Sequence, residues 1–222
     1  MILIDIMICK ELKTICPEIT LGCLKANVKV ESSADTLWEE ISNYCDVLKR
    51  EILIEELEAL PRIKDGREAY KRLGKAPSRY RLSSEALIRR VLQGKGVYKI
   101  NNIVEINNLI SLKSMFPVGS YNIENLHPPI SLRIGKEGEQ YKGIGKELIN
   151  INSLPLLTDS ISSFGSPTSD SERAMITNKV SKILMCIFSF SGKINIEEYL
   201  QHAKELLERY ANGKQITTKI IE

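Results

Sequence analysis

The feature that most narrows the fold of this chain is a change of periodicity at Phe116-Pro117. Before it, apolar residues recur at helical steps. Leu37, Ile41, Tyr44, Leu48, Ile52 and Leu57 mark one side of a segment otherwise filled with Glu and Lys, and residues three or four apart share a helix face. After it, residues 118–121, 130–134, 139–144 and 147–151 form short apolar runs separated by Pro and Gly, which read as strands and turns. Helices grouped ahead of strands, rather than alternating with them, imply an α+β class and not a βαβ ordering. The expected architecture is a mixed β-sheet flanked by helices, with Ile100, Val104, Leu132 and Ile183 in its core.

Local signals set the expected elements. Ile2, Ile4, Ile6 and Ile8 alternate with other residues as in a strand, and residues 19–30 read as a second extended segment. Ser32-Ser33-Ala34-Asp35 offers oxygens to start a long helix ending near Pro61, followed by a short helix over 68–73 closed by Gly74. Ser83 or Ser84 caps a helix over 85–93 that Gly94 and Gly96 stop, and Asn101-Asn102 precede a buried helix over 103–115. Gly135–Gly138 reads as a hairpin loop, and 160–171, rich in Ser, Gly and Pro, as an exposed loop. Helices resume over 172–181, residues 183–190 form a buried strand or helix, and a last helix over 196–211 ends at Gly213. With no repeat and no long linker, residues 1–222 read as one domain. Its parts are an N-terminal strand and helix portion (1–74), a motif-bearing core (75–190) and a C-terminal helix (191–222).

Composition excludes several function classes. In 222 residues, 43% hydrophobic and 27% charged, there is enough apolar material for a packed core. The 31 Lys and Arg against 28 Asp and Glu give a net charge of +3, too even for a whole-chain nucleic-acid field, though a local basic patch remains open. No apolar run approaches the roughly 18 residues of a membrane helix. The opening segment carries Asp5 and lacks a basic start and cleavage site, so no membrane partner and a cytoplasmic location are expected. Cys9, Cys16, Cys23, Cys45 and Cys186 are odd in number and widely spaced, and Pro17 interrupts their seven-residue step, so reduced buried thiols are expected. With only His127 and His202 besides, neither a metal site nor a cofactor is implied.

The middle of the chain carries a recognisable series: Arg89-Arg90-Val91-Leu92, then Lys99-Ile100-Asn101-Asn102-Ile103-Val104-Glu105-Ile106-Asn107-Asn108, then Phe116-Pro117-Val118-Gly119-Ser120-Tyr121-Asn122-Ile123, then Ile130 through Arg133 to Gly138-Glu139. In order and spacing it resembles the B3/B4 module of the phenylalanyl-tRNA synthetase β subunit, over roughly residues 75–190. That module has a similar Ile-Asn-Asn-Val-Val-Asp stretch, a Pro-containing turn, a Tyr/Phe-Asp pair and an Arg…Gly-Glu hairpin. The chain has none of the synthetase's catalytic segments, and it resembles the freestanding proteins built from the module alone. The resemblance implies a site for a charged tRNA end, and ester cleavage that removes a wrong amino acid from it.

Under that resemblance, Asn102, Glu105, Asn108, Gly119 and Arg173 are the candidate substrate-binding residues, and Ser171 and Thr177 the candidates for positioning water or the ester carbonyl. Asn carries both donor and acceptor, which suits an amino-acid ester. The same residues also have plain readings as helix caps, local backbone partners or a turn glycine. Where synthetase versions have a pocket histidine and a tyrosine-selecting glutamate, this chain has Gly119 and, in the loosest part of the match, Cys186, so tyrosine specificity is not carried over. Arg79, Tyr80, Arg81, Arg89, Arg90 and Lys95, close to Tyr70, Lys71, Arg72 and Lys75, are candidates for tRNA phosphates and unpaired bases, or else a solvated face. Three functions stay open: a deacylase acting in trans on mischarged tRNA, a non-catalytic module that binds the tRNA acceptor end, and a sensor of a free amino acid.

Overall fold

A computed structural model of the chain describes residues 5–222, so Ile2 and Ile4 of the expected first strand lie outside the described residues. The first half runs β1 (Ile6–Ile8), α1 (Lys10–Ile15), β2 (Thr20–Asn27), α2 (Asp35–Glu51), α3 (Pro61–Arg72), α4 (Ser83–Leu92) and α5 (Asn102–Ser114). The second runs β3 (Val118–Asn122), β4 (Ile130–Ile134), β5 (Gln140–Lys142), β6 (Leu148–Asn150), β7 (Pro155–Thr158), β8 (Ser163–Gly165), β9 (Lys182–Ser189), α6 (Ile196–Tyr210) and β10 (Lys214–Ile221). The α+β class is as the periodicity implies, with Phe116-Pro117 at the change from helices to strands.

The strands divide between two four-stranded sheets and a hairpin. One sheet has the order β10-β2-β9-β3; the other has the order β1-β4-β7-β8; β5 and β6 pair with each other. The second sheet is mixed, because β1 runs parallel to β4 while β7 is antiparallel to it. Side-chain alternation along β9 shows how the layers meet. Ile183, Met185 and Ile187 enter a core with α2, α4, α5 and α6, whereas Leu184, Cys186 and Phe188 enter a second core with Leu132, Leu157 and Phe164 of the other sheet. The first sheet is therefore covered by helices on one face and by a sheet on the other. Its strands come from residues 20–27, 118–122, 182–189 and 214–221, so all three expected portions of the chain contribute.

Several local expectations are corrected. The helix after Ser32 stops at Glu51, because Ile52 turns extended (φ −126°, ψ 123°) and packs onto the helical core. Pro61, expected to end that helix, instead begins α3 at a position where its missing N–H costs nothing. Neither Ser83 nor Ser84 caps α4 through its side chain. Gly135–Gly138 does not join paired strands: β4 pairs with β7, and the hairpin is between β5 and β6. Residues 160–171 are not an exposed loop, since β8 lies within them and Ser163, Phe164, Ser166 and Ser171 are buried. The expected helix over 172–181 is a single 3-10 turn, Glu172–Ala174. Residues 191–222 hold β10 as well as α6, with β10 closing the sheet against β2. Of the four named core residues, Leu132 and Ile183 are fully buried, Val104 is half-buried, and Ile100 is 60% exposed.

All five cysteines are free thiols. Cys23 and Cys186 face each other across β2 and β9, where burial first, and then Cys23, pushes the Cys186 thiol well above its usual range.

Candidate functional site

The motif residues separate into those that hold the fold and those that face a cleft. Asn101 caps α5 by accepting the Val104 N–H at 3.0 Å. Asn102 is fully buried; its amide donates to the carbonyls of Lys29 and Tyr210, both at 2.9 Å, and its oxygen accepts the Glu31 and Ile103 N–H groups. That one side chain ties α5 to the segment after β2 and to the end of α6. Glu105 is also buried and accepts the Ile100 N–H at 2.7 Å. The Arg…Gly-Glu motif is a bidentate ion pair, Arg133 with Glu139 at 2.6 and 2.8 Å. It holds the Glu139 carboxyl down to about 2.

Gly119 has a specific steric reason. A Cβ there, or at Gly165, would overlap the Tyr121 hydroxyl. The Tyr121 ring lies edge-on to Phe164 at 5.0 Å, and its hydroxyl donates to Asp170 Oδ1 at 2.8 Å. The space above Gly119 is thus filled by the protein's own phenol. Burial pushes the Asp170 carboxyl up to about 7, against the opposing pull of the Tyr121 hydroxyl, the Ser166 N–H and Lys146.

The hydroxyl-rich segment is similarly occupied. Ser171 Oγ accepts the Arg173 N–H at 3.3 Å, and Ser171 N–H donates to the Phe164 carbonyl. Thr177 is exposed and its carbonyl starts the turn that returns to Val180. The Arg173 guanidinium clamps Asp159 and the carbonyls of Asn125 and Ser162.

Of the six basic-stretch candidates, two are locked around Glu85. That carboxylate is fully buried and meets Arg67 at 3.0 Å, Arg81 at 3.1 Å and Arg89 at 3.6 Å, while Glu58 holds Arg67 and Arg89 from the other side. Arg79 and Lys95 are exposed, and Tyr80 is half-buried beneath Lys75 at 4.4 Å. Glu85 was not singled out by the sequence reading; the Arg81, Glu85, Arg89 spacing at four-residue steps is the signal that marks it.

Arg90 points elsewhere. It sits on the opposite face of α4 with Ser83, Ala86 and Leu87, in a cleft of about 320 Å³ closed by Asn107, Asn108 and Ser111 of α5, Val118 of β3 and Thr168. β3 is an edge strand, which leaves this side of the sheet open for the cleft. Asn107 is spent on the fold, donating to the Val118 carbonyl at 3.1 Å and accepting from Ser120. Thr168 bonds the buried Tyr70 hydroxyl at 2.8 Å. Tyr98, unmarked by any motif, also lines it. Asn108 and Arg90 are thus the sequence-derived candidates that the fold brings together; Asn102, Glu105, Gly119, Ser171, Arg173 and Thr177 are not among the cleft's lining residues.

The B3/4 domain family matches residues 65–217, wider at both ends than the stretch that carries the sequence resemblance. The chain belongs to that family. The fold of this B3/4 protein is similar to an N-terminal fragment of the phenylalanyl-tRNA synthetase β-subunit from Pyrococcus horikoshii, with a TM-score of 0.50 and 14% identity. The match covers 98% of this chain and 50% of that fragment, so the chain spans about half of the fragment's length. No curated protein matches the sequence. Among the described residues of the B3/4 protein, no group of three or more His, Cys, Asp and Glu side chains is placed to hold a metal ion, and no helix is long and apolar enough to cross a membrane.

Proposed function

We propose that this B3/4 protein binds the aminoacylated end of a tRNA in the cleft between α4, α5 and β3 and hydrolyses the ester of a mischarged amino acid in trans. Family membership supports the class of ligand. The observation that carries the choice of site is the convergence of Asn108 and Arg90, from two separate motifs, on one cleft. Its volume lies at the small end of ligand sites, which suits an amino acid joined to a ribose rather than a longer segment. In the proposed reaction, water attacks the ester carbonyl, the bond to the ribose oxygen breaks, one of the water's protons goes to that oxygen and the other to solvent, and the amino acid leaves as its carboxylate. In this reading the Asn108 amide, which lines the cleft, donates to the carbonyl as negative charge develops there. Ser171 and Thr177, whose groups serve the 3-10 turn and the following loop, have no part in this version of the mechanism.

A second reading, binding without cleavage, is favoured by one observation: the cleft is lined by no histidine and no carboxylate among the described residues. Incubating the protein with a panel of aminoacyl-tRNAs and, separately, with free amino acids decides between them. Release of the amino acid at a rate above the spontaneous one supports the hydrolase. Salt-dependent tRNA binding with no release supports the binding module, and amino-acid binding without RNA affinity overturns both.

A further inference from the structure

The one cation among the described residues that line the cleft has no partner of its own. Around Glu85 every arginine is paired, yet the Arg90 guanidinium, on the other face of the same helix, has no hydrogen bond or ion pair among the described residues, and its Nε is buried without a partner. What it touches is a ring: its guanidinium carbon lies 3.8 Å from the centre of Tyr98. Tyr98 is 57% exposed, which leaves ring surface for a ligand. It is carried to the cleft by a loop in which Gly94 (φ +75°) and Gly96 (φ +60°) adopt left-handed conformations with open space around them. No acidic side chain lines the cleft. A ligand held there meets one unpaired planar cation, one exposed aromatic ring and the Asn108 amide, but no anion to match an ammonium group.

We propose that Arg90 and Tyr98 form a nucleotide-recognition element: the guanidinium binds a phosphate and the exposed ring of Tyr98 stacks a base of the tRNA 3′ end. This deepens the function proposed above and rests on its choice of an RNA end as ligand, but not on ester cleavage. A guanidinium fork matches phosphate oxygens, and contact with the Tyr98 ring fixes its plane. A stacked base adds sequence-tolerant affinity, as at other unpaired-strand sites. The chemistry favours a nucleotide over a free amino acid. Arg90 suits a carboxylate too, but nothing acidic faces the ammonium, whereas a nucleotide brings both the anion and the flat ring.

The test uses unacylated probes, so that no ester chemistry enters: the trinucleotide CCA, adenosine 5′-monophosphate, adenosine, and a panel of free amino acids, each titrated into the full chain by calorimetry. The expected result is that CCA binds, and that the monophosphate binds at least about tenfold more tightly than adenosine, as a charge-assisted contact requires. Arg90→Gln removes that difference and lowers the salt slope for CCA by about one. Tyr98→Ala weakens CCA by about fivefold or more, and Tyr98→Phe, which keeps the ring, binds as the parent does. Circular dichroism of each variant establishes that it is folded, and Arg90→Lys, which keeps the charge without the fork, retains part of the phosphate effect. Equal binding of monophosphate and adenosine overturns the proposal, as does CCA affinity unchanged in Arg90→Gln and Tyr98→Ala. Amino-acid binding that needs Arg90, with no binding of CCA, also overturns it in favour of a carboxylate site. CCA binding through these two residues with no turnover on the aminoacyl-tRNA panel leaves this inference standing and removes the hydrolase. Turnover that is indifferent to both variants does the reverse.

Discussion

The basic stretch from Arg79 to Lys95 and the hydroxyl-rich stretch from Ser160 to Thr177 are both polar, and both are largely turned inward, by different physics. In the first, Arg81 and Arg89 converge on the buried Glu85 together with Arg67 from α3, so like charges are stored side by side because a shared carboxylate neutralises them. In the second, Ser166 and Ser171 spend their oxygens on nearby backbone N–H groups, as does Asp159 just before the stretch, which is what short polar side chains do in turns. What the two stretches give to the cleft is small: Ser83, Ala86, Leu87 and Arg90 from the one, and Thr168 from the other. A polar run in a sequence is thus a poor measure of free polar surface, and the unpaired member is the informative one.

The largest effect expected from breaking this contrast is at Glu85. Glu85→Ala leaves Arg67, Arg81 and Arg89 facing one another, with only the half-exposed Glu58 as a counter-charge. Removing one partner of a buried ion pair costs about 3–5 kcal/mol, to be read as a fall in the urea midpoint. An unchanged midpoint would show that the arginines can escape to solvent and that the cluster is a surface feature after all.

The hydroxyl-rich stretch has its own weak point at Asp170, and there the effect depends on pH. An unfolded aspartate titrates near 4, while burial pushes this one up to about 7. Between those values the folded protein holds a proton that the unfolded chain has released. Stability from this group is therefore full below about pH 4 and falls as pH rises to about 7, by on the order of 4 kcal/mol. Asp170→Asn should flatten that limb of the stability profile. His202, whose pKa is lowered by burial first and by Lys113 second, acts in the opposite direction, and it is present in both proteins, so the difference between their profiles isolates Asp170. A wild-type profile already flat over this range would sink the assignment.

The smallest effect on stability sharpens the comparison from the other side. Arg79 and Lys95 are exposed members of the basic stretch, outside the Glu85 cluster. Arg79→Gln combined with Lys95→Gln should change the folding free energy by less than about 0.5 kcal/mol. If these two meet tRNA phosphates, the same variant lowers the salt slope of tRNA binding by up to about two. A slope equal to the parent's would confine phosphate contact to Arg90.

How much of this was legible depends on whether the signal was local. The start of α5 could be read at Asn101-Asn102 because a cap announces itself in consecutive residues, whereas Ile183 to Phe188, apolar throughout, showed burial but left strand and helix equally open. β10 was missed because it is an edge strand, Lys214-Gln215-Ile216-Thr217-Thr218-Lys219, whose polar residues suit solvent and hide the alternation. The turn after Ser171 was taken for a helix because capping residues look alike before a full helix and before one turn. At the site, the family motifs led to Asn102 and to Arg133 with Glu139, which identify the fold because they hold it together. Tyr98 carries no motif, and only the two glycines ahead of it hint at a loop able to reach the cleft. The four-residue step from Glu85 marks Arg89 rather than Arg90 as the paired one, but that Glu85 is buried, and so draws the arginines in, shows only in the packing around it.

The order of strands in the larger sheet has a consequence for the chain during its synthesis. β2 is a central strand, yet both of its neighbours, β9 and β10, are encoded more than 150 residues after it. At about 5–20 residues per second, a ribosome takes roughly 8–30 s to deliver the first of them. Throughout that interval Leu21, Cys23, Leu24 and Ala26, all buried in the finished protein, belong to a strand with two unpaired edges and no sheet to join. A nascent chain of this kind has to be kept from pairing with other chains by what translates beside it or by what binds it. The helices that emerge meanwhile, α2 through α5, are the first apolar surface on which β2 can wait.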